Sequence, residues 1–206
     1  EGGDYSVTPM VSAMLTRMLH ATLKFDAKIW AEWAYKAGVD KRGISFVLTY
    51  PELVNSERTT PRSLTQFFEQ IAPIENLKEN LQLVEALALS SLDEIAVSTF
   101  ISFVNDELIQ LIDPEEILDT KDFKSVEKKI KDISVDDSGV KRVDRLSTMC
   151  SRLYLKLTSI DYHSEKTHTI NLVQFLLLDT IPNDLLMSLY MDLQKNGGDQ
   201  IKEMLR

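Results

Sequence analysis

Apolar side chains return every third or fourth residue along most of this chain, the spacing of buried helical faces. Leu64, Phe67, Phe68 and Ile71 form one such face, and the residues before them mark where its helix begins. Thr60 offers a hydroxyl to the first free backbone N–H groups, and Pro61 suits the first helical position, where no N–H is needed. Arg62 does not fit the pattern. A cation in the first turn faces the positive end of the helix dipole, where a carboxylate is preferred. A guanidinium beside free N–H groups makes a site for an anion, most readily a phosphate. The alternative is an Arg that points into water or pairs with a distant carboxylate.

The same periodicity predicts a helix over Met10–Met18, with Val11, Met14, Leu15 and Met18 on one side. Leu19, Ala21, Leu23 and Phe25 then alternate as in a short strand, which needs partners from elsewhere to satisfy its backbone. Asp26 is placed to cap a helix through Ile29, Trp30, Trp33, Ala34 and Ala37, with Gly38 as its stop, and the Trp pair is read as core packing. Asp40 can cap a second helix through Ile44, Val47 and Leu48, ended by Tyr50-Pro51. Further helices are predicted over Asn76–Ser90, Ser91–Ile112, Lys121–Ile133 and Val140–Ser159, with a short turn over Pro114–Leu118 and a loop at Asp136–Gly139. In the longest of these, Val143, Leu146, Met149, Cys150, Leu153, Tyr154 and Leu157 are expected to face inward. Thr169–Leu178 is almost continuously apolar and reads as the central helix of the second half; another helix opens at Pro182 and ends at Gly197-Gly198. His163 and His168 flank a loop and are taken as surface residues.

Composition narrows the class. Of 206 residues 44% are apolar and 27% charged, as in a folded globular chain, and only seven Gly and six Pro favour helices. Cys150 is the single cysteine, so no internal disulfide forms and no zinc cluster is proposed; a reducing, cytoplasmic setting is expected. No apolar run is long enough to span a bilayer. The net charge is −9, and since residues 1–62 hold eight Lys or Arg against seven Asp or Glu, the acidic excess lies in the remainder. That argues against general nucleic-acid binding, including a helix-turn-helix reading built on Lys141, Arg142 and Arg145. There is no Gly-rich phosphate loop ending in Lys-Ser or Lys-Thr, and no Ser on a strand-to-helix elbow. The chain opens Glu1-Gly2-Gly3, not Met, and is read as a fragment, or a processed product, of something longer, with no catalysis expected from it alone.

Several stretches in fixed order carry a resemblance: Leu15-Thr16-Arg17-Met18-Leu19-His20, a strand, Trp30-Ala31-Glu32-Trp33-Ala34, Ile44-Ser45-Phe46-Val47-Leu48, Tyr50-Pro51-Glu52-Leu53 and Thr60-Pro61-Arg62-Ser63. Over residues 10–70 the chain resembles AAA+ ATPases of the MoxR-like and phage-borne type. The resemblance implies a mainly α chain. Residues 1–25 would be the end of an α/β core, 26–72 a small helical lid, and 73–206 an acidic helical bundle. It implies that Arg62 stands where the sensor-2 arginine reaches nucleotide phosphates, and that Arg17 stands where a subunit presents an arginine to its neighbour's γ-phosphate. ATP and Mg2+ would then be cofactors of the parent protein, held by segments outside this chain, with neighbouring subunits of a homo-oligomer and a protein substrate as partners. A free-standing helical adaptor without a nucleotide role is the other reading.

Overall fold

The helix starts in the first third are capped as their residues require. The Asp26 carboxylate accepts from the N–H groups of Lys28 and Ile29 at 2.9 and 3.1 Å and opens α1 (Ala27–Lys36). Asp40 accepts from Arg42 N–H at 2.8 Å at the head of α2 (Lys41–Thr49). Thr60 and Pro61 open α3 (Pro61–Ile71). The computed structural model describes residues 16–19, 21, 23–107, 112–136 and 138–205, and over these the chain is mainly helical. After α3 come α4 (Leu81–Ser91), α5 (Glu94–Ser102), a π-helical turn (Phe103–Glu107), α6 (Pro114–Asp119) and α7 (Phe123–Ile133). The series closes with α8 (Val143–Leu157), α9 (Lys166–Leu176), α10 (Asn183–Asn196) and α11 (Asp199–Met204).

Aromatic rings hold the first half together. Phe100 of α5 meets Phe46 of α2 and Phe67 of α3 edge-on, each with ring centroids 5.0 Å apart. Phe103 and Phe68 close the cluster at 5.6 Å from Phe46 and Phe67 respectively, and Trp30 reaches Phe68 at 6.3 Å. Phe46, Phe67, Phe68, Phe100 and Phe103 are all buried. Each such side chain stabilises the fold by about 1.5–3 kcal/mol through removal from water, with edge-to-face pairs adding about 0.5–1.5 kcal/mol. In the second half α8 is the central helix: α1, α2, α6 and α10 all pack on it. Leu146, Met149, Leu153 and Leu157 are buried along it at the predicted spacing. The core is continuous, running from Trp30 to Met204.

Several expectations are corrected. Leu19, Ala21 and Leu23–Phe25 form no strand; Leu19 and Leu23 stand almost wholly in solvent, and no strand among the described residues is there to pair with them. The predicted helix over Met10–Met18 lies outside the described residues up to Leu15, and Thr16–Met18 form a turn. Trp30 is buried, but Trp33 is 52% exposed, because its position on α1 turns away from α3 and α8. Val143 is exposed at the first turn of α8. The apolar run over Thr169–Leu178 is not central: α9 buries His168, Asn171, Leu172 and Phe175 and leaves Ile170, Val173 and Leu177 in solvent. The helix predicted from Ser91 to Ile112 starts at Glu94 instead, its hydrogen bonding widens to the π pattern after Ser102, and positions 108–111 lie outside the described residues.

The α2–α3 crossing depends on Gly43. A Cβ at this buried position would lie 2.3 Å from Cγ of Phe68, whose ring is held by Trp30, Phe67 and Phe100 and has no room to move. Gly43→Ala gains about 1 kcal/mol of helix propensity, but overpacking of this kind costs about 1–3 kcal/mol. Urea unfolding is expected to show a less stable variant. Equal or greater stability would mean that the aromatic cluster yields and is not the rigid seat described here.

Candidate functional site

The first turn of α3 is built from its flanks inward. Thr60 Oγ1 accepts from Ser63 N–H at 3.2 Å, while Ser63 Oγ accepts from Thr60 N–H at 2.9 Å, a reciprocal capping box. Ser63 Oγ also donates to Arg58 O at 2.6 Å, which folds the preceding loop onto the helix end. That loop is gathered by Asp93. Its carboxylate accepts from Thr59 N–H and Thr59 Oγ1, each at 2.8 Å, from Arg58 N–H at 3.1 Å, and from the Ser56 hydroxyl. In return Asp93 N–H donates to Thr59 Oγ1 at 3.1 Å. Asn55, with φ of 83°, makes the bend that starts the loop, and its N–H donates to Thr59 O at 2.8 Å.

Arginines secure the other helix ends. Arg58 donates to Leu89 O and Ser90 O at 3.2 and 3.0 Å, the last carbonyls of α4. Arg42 pairs with Asp40 at 2.5 Å and donates to Ile71 O, Ile74 O and Glu75 O at and beyond the end of α3. These cations meet the negative ends of helix dipoles, where they are favoured. Neither Arg42, Arg58, Ser63 nor Asp93 was singled out from the sequence. Asp93 just before Glu94 carries the mark of a helix cap, yet it does not cap α5 and turns back to the loop instead.

Arg62 is solvent-exposed, with no hydrogen bond or ion pair of its side chain among the described residues. Arg17 lies exposed in the turn ahead of α1, likewise without a partner there, and no contact joins it to Arg62. By contrast Arg42, Arg58 and Arg152 are bonded to carbonyls and carboxylates, Arg142 pairs with Asp144 at 2.6 Å, and Arg145 is buried with its Nε unpartnered. Arg145 is therefore shielded and Arg142 engaged, so the helix-turn-helix surface set out above does not form.

Other constellations are structural. Tyr162, His168 and Asp119 make a hydroxyl–imidazole–carboxylate chain, with 3.1 Å from the Tyr162 hydroxyl to Nδ1 and 2.7 Å from Nε2 to Asp119. A nucleophile relay needs an activated hydroxyl, whereas burial pushes Tyr162 up to about 12. The chain clamps α6, α9 and the α8–α9 loop. It corrects the expectation that His168 is a surface residue, because its ring stacks on Tyr162 and completes the cap of α9. His163 is exposed as expected. A narrow groove of about 30 Å³ lies between α1, α8 and α10, lined by Cys150 and Leu189 and by Lys28 and Asp192, which pair at 3.2 Å. Burial pushes the Cys150 thiol up to about 12, which favours the protonated thiol over the reactive thiolate. Among the described residues no cluster of His, Cys, Asp or Glu could hold a metal ion, and no helix is long and apolar enough to cross a membrane. No family model, curated protein or solved structure matches this chain.

The Asp93 carboxyl is held down to about 2 from an ordinary 3.8, first by the Ser56 hydroxyl and, against the opposing effect of burial, by the Thr59 and Arg58 groups. A carboxyl that titrates lower when folded contributes stability that is complete above its unfolded value and is lost as pH falls through the folded one. Asp93→Asn is therefore expected to be less stable than the parent near neutral pH, with the gap closing between pH 3.8 and about 2. Unfolding curves across that range check it; a gap independent of pH would show that the charge on Asp93 does not hold the loop.

Proposed function

We propose that this chain is the lid and helical C-terminal region of an AAA+ ATPase. Arg62 reads the nucleotide phosphates, and Arg17 is offered to the neighbouring subunit of a homo-oligomer. In this reading residues 1–25 end the α/β core and 73–206 form the bundle that meets a protein substrate or partner. ATP and Mg2+ are held mainly by other segments, because this chain carries neither a phosphate loop nor, among its described residues, a metal-binding cluster. What supports it is how the described arginines are used: Arg42, Arg58, Arg142 and Arg152 are bonded internally and Arg145 is buried, while Arg62 and Arg17 project to solvent without a partner among the described residues. Arg62 also stands on a helix start fixed by the capping box and by Asp93, so its guanidinium leaves a rigid base. A rigid donor at the free N–H groups of a helix is suited to phosphate oxygens.

A second reading, the helical adaptor without a nucleotide role, draws on a separate observation. The helices assigned to the lid share a core with the later ones, through α2 on α8, the 3.0 Å hydrogen bond between the Thr49 and Thr148 hydroxyls, and the 2.8 Å bond from Tyr154 to Glu32. The two readings separate on Arg62→Ala. In the assembled ATPase, loss of one electrostatic contact to the transferring phosphoryl group is expected to lower turnover by about 10²–10³-fold. In this chain alone, thermal unfolding should change by less than about 0.5 kcal/mol, as for an exposed side chain without a partner. Turnover at the parent level would remove Arg62 from any phosphate site and leave the adaptor standing.

A further inference from the structure

Three helices end around one cavity. It has a volume of about 250 Å³ and lies between the last turns of α1, α8 and α10. Tyr35 and Lys36 close α1, Tyr154 stands in the last turn of α8 with Thr158 and Ser159 just beyond it, and Asn196 is the last residue of α10. Helix ends of this polarity each carry roughly half a unit of negative charge. Glu32 adds a carboxylate to the wall and Lys36 an ammonium. Those two cancel, and the helix ends leave the cavity negative. Lys156, in the last turn of α8, is engaged by Glu115 at 2.8 Å, and Lys195, before Asn196, is exposed and no part of the lining.

The hydrogen-bonding capacity of this lining is spent unevenly. Thr158 Oγ1 donates to Tyr154 O at 2.8 Å and Ser159 Oγ to Lys156 O at 2.9 Å, so each hydroxyl keeps lone pairs and no free proton. The Tyr154 hydroxyl donates to Glu32 Oε1 at 2.8 Å and accepts from the Asn196 amide at 3.0 Å. Burial first, and then the bond to Glu32, push this phenol up to about 12, so it stays protonated in that role. Glu32 Oε2 and Asn196 Oδ1 have no partner among the described residues. What the wall has left to offer is therefore mostly acceptors. The donors that remain are the exposed Lys36, the Tyr35 hydroxyl and the second proton of the Asn196 amide.

We propose that this cavity binds a small organic cation, an alkylammonium or guanidinium compound whose N–H groups donate to Glu32, Asn196, Thr158 and Ser159. An anion would meet acceptors and the negative ends of helices. A neutral polyol could donate as many hydrogen bonds, yet it brings no charge to answer Glu32. A metal ion needs several carboxylate or imidazole ligands, and Glu32 is the one such group in the described lining. The volume also far exceeds the roughly 10–15 Å³ that holds a single water, so it has room for a compact molecule of several heavy atoms.

The site does not rest on the nucleotide reading and is tested without it. Probes of one length and three charges, 1,4-diaminobutane, 1,4-butanediol and succinate, are titrated into the whole chain by calorimetry at low ionic strength. The diamine is expected to bind saturably at one site, butanediol about tenfold or more weaker, and succinate not at all. Glu32→Gln keeps an amide oxygen for the Tyr154 hydroxyl but removes the charge, and should weaken the diamine about tenfold or more. Lys36→Gln removes the competing cation and should tighten it about twofold or more. Unfolding temperatures show whether each variant is folded; if Glu32→Gln is destabilised, the exposed Lys36→Gln decides. The proposal is overturned if no probe binds saturably, or if butanediol or succinate binds as well as the diamine. It is also overturned if the folded variants bind the diamine as the parent does.

Discussion

The burial of one helix face decides much of the rest. Leu64, Phe67, Phe68 and Ile71 put α3 against α2 at the one place where a missing Cβ, at Gly43, lets Phe68 lie on the backbone. Phe67 and Phe68 then meet Phe100 from α5, and Phe100 meets Phe46, so four rings from three helices fix one another's positions. Dispersion and apolar burial set the depth of this contact but do not fix the rotation or the ends of the helix. Those are set by polar groups at its termini. Arg42 holds the last carbonyls of α3, while Thr60, Ser63 and, through the loop, Asp93 hold its first turn. A helix seated on rings and tied at both ends makes a steady mount for whatever its first turn presents.

Asp93 shows how far a local sequence signal can mislead. An Asp directly before a helix ordinarily spends its carboxylate on that helix's free N–H groups. Here the loop Ser56–Thr59 offers two backbone N–H groups and two hydroxyls at once, and the carboxylate takes that larger set. The competition is between elements more than thirty residues apart, so the local sequence carries no trace of it. The capping carboxylates Asp26 and Asp40 and the hydroxyl of Thr60 were legible because donor and acceptor lie within three residues of each other.

The same distinction explains the other gains and losses. The apolar spacing of α3 and α8 was read from the sequence, since one buried face imposes one period. The alternation over Leu19–Phe25 carried the right period for a strand, but a strand exists only with a partner, and none of the described residues supplies one. The apolar density of Thr169–Leu178 suggested a central helix. Density alone does not say whether a helix is covered on two sides, and α9 is covered on one. His168 was assigned to the surface because no ligand partner stood near it in sequence; Asp119 and Tyr162 reach it through the fold. The place of Arg62 in a helix first turn was legible because the signals for it, Thr60 and Pro61, are local.

What remains available for function follows from how completely the charges are consumed. Burial raises Glu115, but the hydrogen bond from Lys156 and the charges of Lys41 and Lys156 outweigh it and hold the carboxyl below its ordinary value. Burial likewise acts on Asp144, and Arg142 overcomes it. In both cases a carboxylate in a partly desolvated place is answered by a cation from its own chain, so the pair stabilises the fold and has no unsatisfied charge to offer a ligand. Such closed pairs bind foreign ions weakly, since an incoming anion must first displace a covalently tethered one. Cations left unpaired in a chain of net charge −9 are in a different position. Each forgoes internal carboxylates that outnumber it, and a partner that brings negative charge meets no tethered competitor. Arg62 on the first turn of α3 is one such cation among the described residues, and Lys36, Lys166 and Lys195 are others on exposed helical faces. An anion that meets Arg62 therefore competes with no tethered carboxylate among the described residues.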